Sequence, residues 1–195
     1  MKADAILRVT ETLRERLKQA LLASGLPGAT VFVGPLDDAD ASGATLILFL
    51  YRIMPNATLR NSEHRVVSSV SPPPVQVFQN SFPLDLYFLI TVGTIPNSSE
   101  ETPLQALGFA IQALQAEPDL TGASVNNETV HLTFEPLTTE EASRIWALFP
   151  TANYRTSIAY LATPVWIDPP VLSAVAGPVV DDRLLAGPRA AEAGT

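Results

Sequence analysis

His64 and His131 are the two histidines of the chain. Either could act as the base of a serine-type site, which needs an imidazole held by a carboxylate beside an activated hydroxyl. His131 stands between Val130 and Leu132, so on a strand it points away from their shared face, while His64 stands in an irregular stretch beside Glu63 and Arg65. No Gly-x-Ser-x-Gly elbow accompanies them, which favours solvent-facing or structural imidazoles. The acidic residues suggest calcium: Asp38-Ala-Asp-Ala-Ser-Gly43 puts oxygen donors at the first, third and fifth positions of a loop and glycine at the sixth. The twelfth position, where a bidentate glutamate would close such a loop, is Phe49, and the segment reads as a polar turn. Among the carboxylate pairs, Glu140-Glu141 falls at a helix N-terminus, where the dipole favours negative charge. Glu100-Glu101 and Asp181-Asp182 fall in loop or tail segments that cannot hold a catalytic separation. Gly93-Thr-Ile-Pro-Asn97 lacks the lysine of a phosphate loop. The absence of cysteine removes disulfides, thiolate zinc sites and thiol nucleophiles together. The expectation is a chain with no catalytic residue, no metal site and no cofactor, hence no enzyme.

What remains is a group suited to recognition. Tyr51-Arg52-Ile-Met-Pro-Asn56 and Leu59-Arg60-Asn61 gather hydrogen-bonding side chains at the exit of an apolar strand, and the chain carries two tryptophans, Trp146 and Trp166. Arginine, tyrosine and tryptophan are the types that anchor interfaces. Arg52, Asn56, Arg60, Asn61, Trp166 and Asp168 are therefore the candidate interface residues. Trp146 reads as core, since Ile145 and Leu148 already line the same helix face.

The elements that must position them follow from periodicity. Ile6, Val9, Leu13, Leu17, Ala20 and Leu21 recur at helical spacing from Asp4 to Ser24, stopped by Gly25 and Pro27. Thr30-Val-Phe-Val33 and Ala44 to Arg52 read as strands separated by the polar turn. From Pro55 to Pro83 periodicity disappears, and Ser68-Ser-Val-Ser-Pro-Pro-Pro74 favours polyproline-like backbone. Leu84, Leu86, Phe88, Ile90 and Val92 alternate as a long strand. Thr102-Pro103 opens a second helix running to Pro118, Val130 to Phe134 is a strand, and Thr138-Thr-Glu-Glu141 is a capping box for a third helix ending near Phe149. Tyr154 to Ile167 is a last strand, in which Pro164 implies an edge or a bulge. The fold class expected is α/β in the α+β sense: a mixed, mainly antiparallel sheet with helices packed on one face.

The chain has 195 residues, 47% hydrophobic and 16% charged, with 12 basic against 20 acidic side chains and a net charge of −8. This fits a domain of ordinary size and excludes disorder over the whole length. The low charge leaves uncharged surface of the kind oligomers bury. A net charge of −8 with two lysines offers no basic footprint, so nucleic acid is not an expected partner. Nor is a membrane: the longest apolar run, Ala44 to Tyr51, is far short of the roughly 20 residues that span a bilayer. Residues 1–20 interleave charges without an apolar stretch before a cleavage site, so synthesis in the cytoplasm is expected, and the sequons at Asn56, Asn97 and Asn127 then carry no weight.

Several blocks, taken in order, resemble a known family: Leu46-Ile-Leu-Phe-Leu-Tyr-Arg52 with Asn56 and Leu59-Arg-Asn61, Pro83-Leu-Asp-Leu-Tyr-Phe-Leu-Ile-Thr91, Leu107-Gly-Phe-Ala-Ile-Gln-Ala-Leu114, Leu132-Thr-Phe-Glu-Pro-Leu-Thr138 and Tyr154-Arg-Thr-Ser-Ile-Ala-Tyr160. Over roughly residues 4 to 168 they are similar to the cap, or tube-terminator, proteins of extracellular contractile injection systems, which are phage-tail-like particles. The resemblance implies a tail-terminator-like cap domain over residues 1–168 and a tail rich in proline and alanine over 169–195. It implies a structural role: six copies form a ring on the last layer of the inner tube, stop its growth and contact the final ring of the sheath. The partners implied are further copies of the chain, the inner tube protein and the sheath protein, in a particle assembled in the cytoplasm and then released. The 55–83 loop, the Arg52 to Asn61 segment and the tail are expected to make these contacts, the tail by adding a strand to a neighbour's sheet. Some family members carry a sizeable further C-terminal region, whose role is not carried over to the short tail here. Two other readings are the terminator of a true contractile phage tail and a monomeric small-ligand-binding module.

Overall fold

The computed structural model describes residues 3–26, 28–67, 75–94, 101–170 and 174–176. Its centre is set by the most apolar stretches. Strand β2 (Leu46–Pro55) and strand β5 (Phe82–Val92) are antiparallel neighbours, and β8 (Ser157–Ile167) flanks β5 on its other side. Beyond β8 lie β7 (Val130–Glu135) and the two-residue β6 (Asp119–Leu120); beyond β2 lies β1 (Val31–Val33). The resulting sheet has six strands in the order β1-β2-β5-β8-β7-β6, parallel only between β1 and β2. The expected mixed, mainly antiparallel sheet is therefore present.

Helices α1 (Ala5–Ala23) and α2 (Glu101–Ala116) cover one face. Val9, Leu13, Leu17 and Leu21 of α1 and Ala106, Ala110 and Leu114 of α2 meet Leu46, Leu48, Leu86, Phe88, Ile90, Tyr160 and Ala162 in one continuous core. Asp4 and Ser24 bound α1 at the positions its apolar period implies, and the Asp4 carboxylate accepts from Arg8 Nε at 2.6 Å. Helix α2 starts slightly earlier than Thr102-Pro103 implies, which leaves Pro103 within the first turn, where a missing N–H costs no hydrogen bond.

Helix α3 (Thr139–Trp146) corrects the expectation that the helices share one face. Trp146 is buried with Ile47, Leu89, Ala159, Leu36 and Ala41 in a second core. Ile47 and Phe49 of β2 and Leu89 of β5 point to that side, and Leu46, Leu48, Leu86, Phe88 and Ile90 to α1 and α2. Strands that are apolar on both faces need cover on both. The capping box forms as its spacing demands: Glu141 N donates to Thr138 Oγ1 at 3.2 Å, and Thr138 N donates to Glu141 Oε2 at 2.9 Å. The hydrogen bonds from the Thr138 backbone and hydroxyl hold the Glu141 carboxyl below its ordinary range.

The stretch from Pro55 to Pro83 is not structureless. It carries β3 (His64–Val67) and β4 (Val75–Phe78), paired antiparallel, with β9 (Ala174–Ala176) on β4 as the third strand of a second sheet. Strands of three or four residues are too short for alternation to stand out from sequence. Strand β9 comes from the segment expected to be a coreless tail, and it pairs within its own chain. The polyproline expectation at residues 68–74 falls outside the described residues. Pro164 sits at a bulge: Leu84 pairs with Val165 but Leu86 with Ala162, and β7 stops pairing with β8 at Thr163. The proline thus lies where neither neighbour needs its N–H.

Gly93 closes the far end of β5. A Cβ there would lie 1.8 Å from the Ala44 carbonyl oxygen, while Gly93 N donates to Thr45 O at 2.8 Å. Since this neighbour is backbone, Gly93→Ala forces the β2 entry and β5 exit apart. Denaturant unfolding should show a loss at or beyond the upper end of the roughly 1–3 kcal/mol typical of overpacking; an unchanged midpoint would show that the two segments part freely.

Candidate functional site

The candidate residues gather at one end of the large sheet, where β2 and β8 end and β5 begins. Strand β1 pairs only with Leu46, Ile47 and Leu48 of β2. From Phe49 to Pro55 the outer edge of β2 has no strand beside it among the described residues. Within this stretch Leu50 pairs with Phe88 and Arg52 with Tyr87, so Tyr51 is the extra residue of a bulge. A bulge bends its strand and re-aims side chains. Here it sets the exposed Arg52 guanidinium 3.8 Å from the centroid of the Tyr87 ring, a cation–π contact. Ile53 and Met54 follow, both more than 40% exposed.

Asn56 caps the end of β2. Its Nδ2 donates to Asp85 Oδ1 at 2.9 Å and to Thr163 Oγ1 at 3.2 Å, and its Oδ1 accepts from Leu59 N at 2.9 Å. Thr163 Oγ1 also donates to Asp85. One asparagine thereby fixes the turn bearing Arg60 and Asn61, both exposed, to the bulged parts of β5 and β8. Trp166 and Asp168 face inward. Trp166 is buried and stacks on the His64 ring at 4.6 Å between centroids with 9° between planes. Asp168 Oδ1 lies 2.7 Å from His64 Nδ1 and accepts from Ser81 Oγ at 2.7 Å. The other imidazole nitrogen, Nε2, is 3.3 Å from Glu128 Oε2. The structure thus exposes Arg52, Arg60 and Asn61, leaves Asn56 partly buried, and packs Trp166 and the Asp168 side chain inward around His64.

Sequence reasoning passed over Glu128 and Ser81, and placed His64 in a loop. His64 precedes Arg-Val-Val67, and a histidine opening an apolar run was the available signal; its acidic partners are 64 and 104 residues away. His131 is exposed as expected, with Nδ1 2.6 Å from Asp119 Oδ1. Asp38 is the N-cap of a short 3-10 turn, its side chain accepting from Asp40 N at 2.9 Å. On the α3 face, the Trp146 Nε1 donor and the Tyr51 hydroxyl are buried without a partner among the described residues.

A model of the Pvc16 N-terminal domain family matches residues 8–181. The chain belongs to that family. No curated protein matches it. Among solved structures, the fold of this Pvc16 N-terminal domain is similar to the sheath/tube terminator of PVC, an extracellular contractile injection system, in its extended state, with a TM-score of 0.58, 16% identity and 96% of this chain covered. It is also similar to the tube-terminating cap of the anti-feeding prophage, with a TM-score of 0.59, 18% identity and 90% of this chain covered. It spans 65% and 59% of those two chains. The family resemblance and the terminator-like fold read from the sequence are both shown. Among the described residues no helix is long and apolar enough to cross a membrane.

Burial pushes the Tyr51 phenol above its ordinary range, partly opposed by the Arg52 charge. A phenol raised on folding contributes in full below its unfolded value of about 10 and loses that contribution as pH climbs through the folded value. Tyr51→Phe removes the unpartnered hydroxyl, so it should gain about 1 kcal/mol at pH 7 by urea unfolding and lose less stability than the parent between pH 9 and 11. A loss at pH 7 would reveal a partner for that hydroxyl.

Proposed function

We propose that this Pvc16 N-terminal domain is a structural cap: six copies form a ring on the last layer of the inner tube of a contractile injection system, stop tube growth and meet the final sheath ring. The observation that carries this reading is the fold shared with a sheath/tube terminator over 96% of the chain, within the family that matches residues 8–181. It acts by shape, with no reaction to catalyse. On this reading the chain assembles in the bacterial cytoplasm and leaves it as part of the particle.

The sheet supports a ring in physical terms. A closed ring is heterologous, so each protomer must present two unlike surfaces. One is the outer edge of β2 from Phe49 to Pro55; the other is the outer edge of β7, where β6 pairs only with Val130 and His131 and Phe134 is 47% exposed. Unpaired strand edges on opposite sides of one sheet allow neighbours to continue it. Arg52, Arg60 and Asn61 then touch the neighbour or the tube directly, and Asn56, Trp166 and Asp168 hold their backbone in place. Strand β9 lies on its own chain's β4, so any strand the tail lends to a neighbour comes from residues beyond it.

The test pairs the full chain with its cognate tube subunit in cryo-electron microscopy and light scattering. The expected result is a six-fold layer at one tube end, of six times the 20.9 kDa of one chain. Arg52→Glu with Arg60→Glu should leave the monomer folded and yield overlong, uncapped tubes. Tubes of normal length made without the chain, or a 20.9 kDa species that ignores tube ends, would overturn the reading.

A further inference from the structure

We propose that His64, Glu128 and Asp168 form a proton-dependent latch that fastens the small sheet, β3-β4-β9, to the large one. The three side chains are 6%, 10% and 5% exposed. His64 opens β3, Glu128 precedes β7 and Asp168 follows β8. No strand of one sheet pairs with a strand of the other among the described residues. Side chains therefore have to join them, and His64 meets Glu128, Trp166 and Asp168 from the side of the large sheet. The latch is independent of the cap reading.

Both ring nitrogens face carboxylate oxygens. Asp168 Oδ1 lies 2.7 Å from Nδ1 and accepts from Ser81 Oγ at 2.7 Å, and Glu128 Oε2 lies 3.3 Å from Nε2. An ionised carboxylate can only accept, and a neutral imidazole has one donor nitrogen and one acceptor. With a neutral ring and two ionised acids, one nitrogen lone pair would point at an oxygen lone pair in a site nearly closed to water, where an unmade hydrogen bond is costly. One further proton, on the ring or on Glu128, turns that contact into a hydrogen bond. The proton belongs to the cluster as a whole. Trp166 and Phe78 both stack on the ring, at 4.6 and 6.1 Å between centroids, which keeps it in the plane that presents one nitrogen to each acid. Neither stacking partner is charged, and the chain neighbours Glu63 and Arg65 are exposed and pair with each other at 3.1 Å. The unfolded chain has no reason to hold the extra proton, so the folded state binds more protons and rising pH opposes it. Because the proton sits where the two sheets meet, its loss frees the small sheet before the large one, as a local opening.

Hydrogen exchange of the full chain, read by mass spectrometry and corrected for the intrinsic effect of pH on exchange, tests the latch. Between about pH 6 and pH 9, the opening equilibrium of the β3 and β4 amides should rise, by up to about tenfold per pH unit where the single proton leaves. Amides of β5 should not follow. In Glu128→Gln the amide N–H can donate to a neutral Nε2, so the small sheet should stay docked and its response to pH should disappear. His64→Phe keeps a ring for the stack and removes the proton. It serves if circular dichroism shows Glu128→Gln unfolded, and its small sheet should open faster than the parent's at pH 6 and to the same extent at every pH. A parent whose small sheet ignores pH, a Glu128→Gln chain that keeps the parent's response, or β5 opening in step with β3 would overturn the proposal.

Discussion

The structure depends on burying β5. Leu86, Phe88 and Ile90 lie against α1 and α2, Leu89 lies under α3, and both edges are hydrogen-bonded, to β2 and to β8. A strand enclosed on every side leaves no freedom of register, because a slip by one residue would exchange its two core faces. Everything else is placed relative to it: α1 and α2 by its even-numbered side chains, α3 by its odd-numbered ones, and the Arg52 to Asn61 segment by where β2 outruns β1. The bulges at Tyr51 and opposite Pro164 lie on the two sides of this strand. Each adds local twist, and together they turn the polar end of the sheet away from the core that fixes the rest.

Long elements with strong periods were legible in the sequence. The apolar stripe of α1 and its end residues agree with the structure, as do the alternation of β5 and the capping box at Thr138, because each rests on interactions a few residues apart. Less legible was whatever depends on distant partners. Strand β9 is held by pairing with β4 across about a hundred residues, and β3 and β4, though near in sequence, are too short for a local pattern to announce them. The placement of α3 on the opposite face was readable in principle, since Leu46 to Phe49 is apolar in both parities; reading that run as simply buried lost the second face. Pro164 allowed an edge or a bulge, and only the register decided between them.

The candidate site shows the same division. Residue type alone singled out Arg52, Asn56, Arg60, Asn61, Trp166 and Asp168, and they do collect at one end of the sheet, but type could not separate outward from inward side chains. Trp166 and Asp168 are engaged beneath the surface by a histidine whose position in sequence looked irregular. There they form an aromatic stack with a polar cluster at its edge. The solved terminators share this fold at 16–18% identity, so what is common to them at this level is the arrangement of strands and helices.

Charge bears on how a proposed ring would close. Each chain carries −8, so copies approaching one another repel at distances up to a Debye length, about 8 Å at physiological ionic strength. Attraction must then come from short-range terms: strand edges that complete their hydrogen bonds and apolar groups such as Ile53, Met54 and Phe134 that leave water. In such a ring Arg52 and Arg60 would soften the repulsion where the β2 edge met its neighbour. Because edge pairing needs a neighbour already aligned, a layer of stacked tube subunits that holds successive copies in register lowers the cost of each closure. A ring of this kind is then favoured on the tube end over free solution, which is where a terminator has to act.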